Sequence, residues 1–87
     1  MCRNIKRLHN LAPPASSDEV RDAALQFVRK IAGSTRPSRA NADAFERAVD
    51  EIAAAADRLL AELTAQAPPA SREALAARAR ERWAARA

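Results

Sequence analysis

The sequence predicts an all-α protein, built as an antiparallel helical hairpin with a shorter C-terminal helix and a short N-terminal segment. First, the chain is rich in Ala, Arg, Glu and Leu and holds a single glycine, a composition that favours helix. Second, proline is excluded from helix interiors, and all five prolines fall at three places, so they separate four pieces of chain. Third, the two long central pieces carry apolar residues at spacings of three and four.

These breaks lie within what we expect to be one small domain. At 87 residues the chain is too short for two ordinary domains, and its core is thin. The predicted parts of the domain, residues 1–87, are an N-terminal segment (1–15), a helical hairpin (16–66) and a basic C-terminal helix (67–87).

The N-terminal segment places Ile5, Leu8 and Leu11 at intervals of three, which predicts one stripe of a short helix or 3₁₀ turn. About twelve residues do not hold a helix alone in water. We therefore expect this segment to dock by its stripe or to stay mobile.

Helix one is predicted over residues 17–32. Ser16 and Glu19 form a capping box, in which each side chain accepts a hydrogen bond from the other residue's backbone N–H. Gly33 falls where a left-handed residue ends a helix. The apolar stripe between the two ends is Val20, Ala24, Phe27 and Ile31, and Ala23 and Val28 widen it.

Helix two is predicted to run from Arg39 to Gln66, with Ser38 or Asn41 as its cap. At about 42 Å it overhangs helix one, which spans about 24 Å. Its seam has heptad spacing. The seam consists of Phe45, Val49, Ile52, Ala56, Leu59 and Leu63.

The third helix follows Pro68-Pro69, with Ser71 as its cap and a narrow stripe of Leu75, Ala79 and Trp83. We expect it to fold back over the overhanging end of helix two, with Trp83 as the anchor. Otherwise the N-terminal stripe or a second copy of the chain must cover that end. This alternative predicts self-association through Ala56, Leu59, Leu60, Leu63 and Trp83.

The net charge of +4 is spread unevenly, because the hairpin is neutral to acidic and both flanks are basic. Basic flanks can bind the phosphate backbone of a nucleic acid or another polyanion. A solvated helix face in an Arg-rich chain is the simpler explanation. The candidate contacts are Arg3, Lys6, Arg7, Arg72, Arg78, Arg80, Arg82 and Arg86.

A second candidate anion site lies in the connection between the two long helices. Hydroxyls, arginines and free N–H groups at a helix start suit an anion, although the second glycine and the lysine of a P-loop are absent. Capping alone would explain the two small polar residues. The candidate residues are Arg36, Ser38, Arg39 and Asn41.

Catalytic and metal chemistry have little support. Cys2 and His9 are the only soft metal ligands, and two ligands do not close a tetrahedral zinc site. Cys2 would become an N-terminal nucleophile if Met1 were removed, but no oxyanion motif accompanies it. We expect no cofactor and no enzymatic activity, and the sequence names no small-molecule ligand.

The sequence also predicts the cellular location of the protein. A lone cysteine excludes an intrachain disulfide framework. No apolar run approaches the ~20 residues that span a bilayer. The basic N-terminus lacks the apolar region of a signal peptide. We expect a cytoplasmic protein without a membrane partner.

Several short motifs, in their order, resemble a family of small bacterial proteins known as domain of unknown function 2277. The motifs are the opening Met-Cys-Arg-Asn-Ile-Lys, Pro13-Pro14-Ala15, the stretch at 24–30, Pro37-Ser38-Arg39-Ala40-Asn41, Ala44-Phe45, Ala48-Val49 and Ala67-Pro68-Pro69. The resemblance covers nearly the whole chain and implies no activity, cofactor or ligand. His9 departs from the aromatic residue that members often carry, which weakens any role for His9.

The sequence leaves the function unknown, with two hypotheses. The first is a non-enzymatic helical interaction module that forms a homodimer through helix two. The alternative is a nucleic-acid or polyanion binder that uses its Arg-rich flanks.

Overall fold

The helices of the computed structural model, which describes residues 5–86 without the side chain of Arg86, follow the predicted order. The elements are β1 (Leu11–Ala12), α1 (Ser17–Ala32), a 3₁₀ turn (Arg39–Asn41), α2 (Ala42–Glu62), β2 (Ala70–Ser71) and α3 (Arg72–Arg86). The all-α prediction is confirmed. The two short strands were not predicted, and they pair in parallel, Leu11 opposite Ala70 and Ala12 opposite Ser71.

Helix α1 has the predicted bounds because local signals close both of its ends. The Ser16 hydroxyl accepts the Glu19 N–H at 3.2 Å, and the Glu19 carboxylate accepts the Ser16 N–H at 2.9 Å. Gly33 adopts φ 70° and ψ 24°, and its N–H donates to the Arg29 carbonyl at 3.0 Å. The capping box and the left-handed glycine are confirmed.

The core lies between α1 and α2, and small side chains form most of it. The buried residues at its centre are Val20, Ala24, Val28, Val49 and Ala53. Partly buried apolar side chains surround them: Leu8, Leu25, Phe45, Ala48, Ile52, Ala56 and Leu60.

The predicted stripe of α1 is wrong at Phe27 and Ile31, which are 43% and 71% exposed. Val28, which the prediction also included, is buried. The buried row runs at steps of four from Val20, which is the ridge that packs into the groove of a neighbouring helix. Phe27 and Ile31 lie to one side of this row.

Helix α2 is shorter than predicted at both ends. A 3₁₀ turn replaces its first residues, and neither Ser38 nor Asn41 makes a side-chain capping hydrogen bond. The helix ends at Glu62, since Leu63 is already extended at ψ 136°. The reason is tertiary: the chain must turn back after α2 to bring Ala70 beside Leu11. Helix α2 therefore extends beyond α1 by less than predicted, because α2 has 21 residues and α1 has 16.

The N-terminal segment docks, but not as a helix. Leu11 is buried in β1, and Leu8 packs against the core. Ile5 is 37% exposed, and residues 5–8 have no regular structure. The expected single stripe is therefore wrong, because the chain turns at His9 and Asn10 and enters the strand pair.

Helix α3 does not fold back along α2, which contradicts the prediction. In the described residues its closest element is β2, which continues directly into it. Trp83, the expected anchor, is 62% exposed. The predicted cap is confirmed, since the Ser71 hydroxyl accepts the Ala74 N–H at 3.2 Å. The direction of α3 is fixed at its first residue by contacts to the other end of the chain.

Candidate anion-binding cleft

Arg72, the first residue of α3, joins three parts of the molecule. Its two terminal nitrogens donate to the Glu19 carboxylate at 2.6 and 2.7 Å. Its Nε donates to the Pro13 carbonyl at 2.8 Å, and one terminal nitrogen also donates to the Pro14 carbonyl at 3.1 Å. The fork of a guanidinium suits this bidentate pairing. Arg72 thus ties α3 to the first turn of α1 and to the segment after β1.

Glu19 therefore serves two partners at once. The hydrogen bonds from Arg72, followed by the backbone N–H of Ser16, lower the pKa of its carboxyl to about 2. The hydrogen bonds to Glu19 in turn raise the pKa of Arg72. Both side chains keep about a third of their surface exposed, 38% for Glu19 and 33% for Arg72, so water screens the pair. Glu19 is therefore ionised at neutral pH and pairs with Arg72.

The turn at Asn10 makes the second link between the ends of the chain. Asn10 has a left-handed φ of 55°, which asparagine tolerates better than most residues. Its side-chain amide donates to the carbonyls of Ala67 and Pro68 at 3.0 and 3.3 Å. Its own carbonyl accepts the Ala70 N–H at 2.8 Å. This turn holds the return segment beside the N-terminal segment.

A cleft of about 810 Å³ lies between the N-terminal segment and α3, which the contacts of Arg72 and Asn10 hold together. Leu11, Leu75, Ala76 and Ala79 supply its apolar lining, and Glu19 is its acidic residue. The basic residues that line it are Lys6, Arg7, Arg72, Arg78, Arg80 and Arg82.

The cleft is strongly cationic. Six basic side chains face one carboxylate, and that carboxylate is held by Arg72. The Nε of Arg7 donates to the His9 carbonyl at 3.0 Å. A carbonyl is neutral, so this hydrogen bond does not cancel the charge of Arg7. Among residues 5–86, the ion pairs join Arg21 to Glu46 and Asp50, and Arg72 to Glu19. Arg78, Arg80 and Arg82 form none of these ion pairs and bring positive charge to the cleft, whereas Lys6 also lies near Asp18 and Asp22.

Comparison with known proteins identifies the family of the chain. The model of an uncharacterised conserved protein family, DUF2277, matches residues 1–78. The chain belongs to the DUF2277 family. Searches among curated proteins and among solved structures give no match. The match includes the strand pair, both helices of the hairpin and the first half of α3, and therefore most of the residues that form the cleft.

Most of the predicted polyanion contacts in this DUF2277 protein come together. Six of the eight predicted residues line the cleft, although the two groups lie at opposite ends of the sequence. Arg3 and the side chain of Arg86 lie outside the described residues. What the sequence did not predict is that Arg72 is a structural link, or that Glu19 and Asn10 take part. The capping box already explained Glu19, and a contact across more than fifty residues leaves no local signal.

The predicted anion site in the hairpin connection is exposed. Arg36, Ser38, Arg39 and Asn41 all lie on the surface. The Asn41 N–H donates to the Ser38 carbonyl at 3.0 Å, which closes the 3₁₀ turn. This site stays a prediction.

The predicted self-association residues fall into two groups. Ala56 and Leu60 are half-buried and pack against the hairpin core. Leu59, Leu63 and Trp83 are 55%, 43% and 62% exposed. Trp83 belongs to α3, so it does not extend the surface of α2 as expected.

Metal ligands do not gather in the part of the chain that the structure describes, where groups of three His, Cys, Asp or Glu suited to a metal ion are absent. His9 is half-buried in the turn before β1, and Cys2 lies outside the described residues. From residue 5 to residue 86, no helix has both the length and the apolar character needed to cross a bilayer.

Proposed function

We propose that this DUF2277 protein binds a phosphate polyanion, with nucleic acid as the leading candidate, in the cleft between its N-terminal segment and α3. One observation carries the proposal: two basic segments from opposite ends of the chain line the same cleft. Lysine and arginine side chains that meet phosphates release condensed counterions, and this release favours binding without any base readout.

The arrangement of charge on α3 supports this function. Arg72 and Ala79 lie on the face of α3 that lines the cleft. At about 100° per residue, Arg78 and Arg82 lie on one side of this face, and Arg80 lies on the other. Glu73 and Glu81 are exposed and do not line the cleft. The carboxylates of α3 are therefore outside the cleft lining, and Lys6 and Arg7 line the cleft from the N-terminal segment.

The test measures the binding of a fluorescent oligonucleotide by anisotropy at several salt concentrations. The wild type should bind at low salt, with an affinity that falls steeply as salt rises. Arg78→Ala with Arg82→Ala should weaken binding and flatten the logarithmic salt dependence by about 0.7 to 0.9 for each lost phosphate contact.

A matched pair controls for net charge alone. Arg47 and Arg58 are exposed on α2 and do not line the cleft, so their replacement by Ala removes the same charge elsewhere. This control should retain most of the affinity. Equal loss in both double variants, or the absence of binding at low salt, contradicts the proposal.

Self-association through α2 is the second candidate function. Its support is the exposure of two large apolar side chains, Leu59 in the last turn of α2 and Leu63 directly after the helix. Sedimentation velocity should then show a dimer that Leu59→Glu or Leu63→Glu dissociates. Ala54→Glu, at an exposed alanine on the same helix, should leave the dimer intact. A monomer at high protein concentration contradicts this function.

A further inference from the structure

Trp83 is the one tryptophan of the chain, and its position on α3 bears on the kind of polyanion that the cleft takes. It is 62% exposed, although it is the largest side chain present. It lies eleven residues, or about three turns, after Arg72 and one turn after Ala79, both of which line the cleft. Trp83 therefore projects from the same face of α3, just beyond the end of the cleft.

Two basic residues of α3 lie next to this aromatic position. Arg80 lies one turn before Trp83, and Arg82 immediately precedes it. A positively charged groove that tracks a phosphate backbone, joined to an exposed aromatic ring on which a base stacks, is the arrangement that binds single strands without sequence readout. In a duplex the bases are stacked on one another inside the helix. An aromatic side chain can therefore stack only on the base pairs at the ends of the duplex.

We propose that the ligand of the cleft is a single-stranded nucleic acid, with its phosphates along the basic lining and one base stacked on Trp83. This inference rests on the function proposed above and narrows its ligand. The distance from Arg72 to Trp83 along α3 is about 16 Å. At the spacing of one strand in a stacked helix this matches about four or five phosphates, so the contact involves a short segment.

The first test uses the wild-type protein and the fluorescence of its single tryptophan. A short single-stranded oligonucleotide should quench and shift the emission, since a stacked base changes the surroundings of the indole. Inorganic polyphosphate, which has the charge but no bases, should bind with little change in emission. A blunt-ended duplex of equal length should bind more weakly than the single strand. Equal or tighter binding of the duplex, or an unchanged emission at saturation with the single strand, overturns the inference.

The second test uses variants and anisotropy. Trp83→Ala should weaken oligonucleotide binding by about fivefold or more, because stacking on an aromatic side chain is lost. It should leave the affinity for inorganic polyphosphate, measured by competition, unchanged. Trp83→Phe keeps a ring and should retain most of the oligonucleotide affinity. Circular dichroism of both variants checks that α3 remains helical.

The outcomes separate this inference from the function on which it rests. If oligonucleotide and polyphosphate both bind and Trp83→Ala changes neither, or weakens both equally, the stacking is wrong and the polyanion function stands. If neither ligand binds at low salt, the polyanion function is wrong and the inference falls with it.

Discussion

At the residue scale, Glu19 shows how a local signal and a distant contact use the same carboxylate. One of its oxygens accepts the Ser16 N–H and completes the capping box of α1. Both oxygens accept hydrogen bonds from Arg72, fifty-three positions along the chain. The cap holds the carboxylate in place, and this lowers the entropy lost when Arg72 binds it. Glu19 therefore couples the start of α1 to the start of α3.

Acid should weaken this coupling within a defined pH window. The pKa of Glu19 is lowered from 4.5 to about 2, so the stability that its charge provides is fully present above about pH 4.5 and is lost as pH falls towards 2. Glu19→Gln should be less stable than the wild type at neutral pH. Its free energy of unfolding, measured with urea, should change less between pH 4.5 and 2, because the variant has no carboxyl at position 19 to titrate.

Glu73→Gln is the matched control, because Glu73 also lies in the first turn of a helix and is exposed. It should keep the pH dependence of the wild type. An acid dependence in Glu19→Gln as steep as that of the wild type would show that other groups, and not Glu19, govern acid unfolding.

At the element scale, how well the sequence predicts each helix depends on where its ends are decided. Helix α1 is bounded by Ser16, Glu19 and Gly33, all within one turn of its ends, and its limits could be predicted to the residue. Helix α2 ends at Glu62 although Thr64, Ala65 and Gln66 permit helix, because the return to β1 decides its end. Propensity describes what a segment allows, and tertiary contacts select among the allowed forms.

The strand pair lies beyond what the sequence could predict. Leu11-Ala12 and Ala70-Ser71 are two residues each, too short for any strand pattern, and they lie almost sixty positions apart. The same limit applies to the cleft. Its basic residues could be recognised from the charge of the two flanks, whereas their meeting depends on Asn10 and Arg72, whose partners are mostly backbone carbonyls. A backbone carbonyl is present at every position and so carries no sequence signal.

At the scale of the whole molecule, the chain is flatter than a compact domain of its length. Its radius of gyration is 15.4 Å, against about 12 Å expected for 87 residues, and it is 17 Å thin in one direction. Helix α3 accounts for this shape, because it lies beside the hairpin rather than over its core. Its attachment depends on a few polar links at its start, so it should open more readily than α1 or α2.

Asn10 provides the test of this attachment, because its side chain donates to Ala67 and Pro68 while its backbone adopts the left-handed form. Asn10→Gly keeps that backbone form available and removes only the side-chain hydrogen bonds. Losing about 1 kcal/mol of hydrogen bonding should speed hydrogen exchange at the backbone amides of α3 about fivefold, with little change in the α1 and α2 core. Asn41→Gly is the control, since Asn41 makes no side-chain capping bond and its replacement should leave α3 unchanged. Equal acceleration in all three helices would mean that α3 unfolds only together with the hairpin, and that the cleft it lines is as rigid as the core.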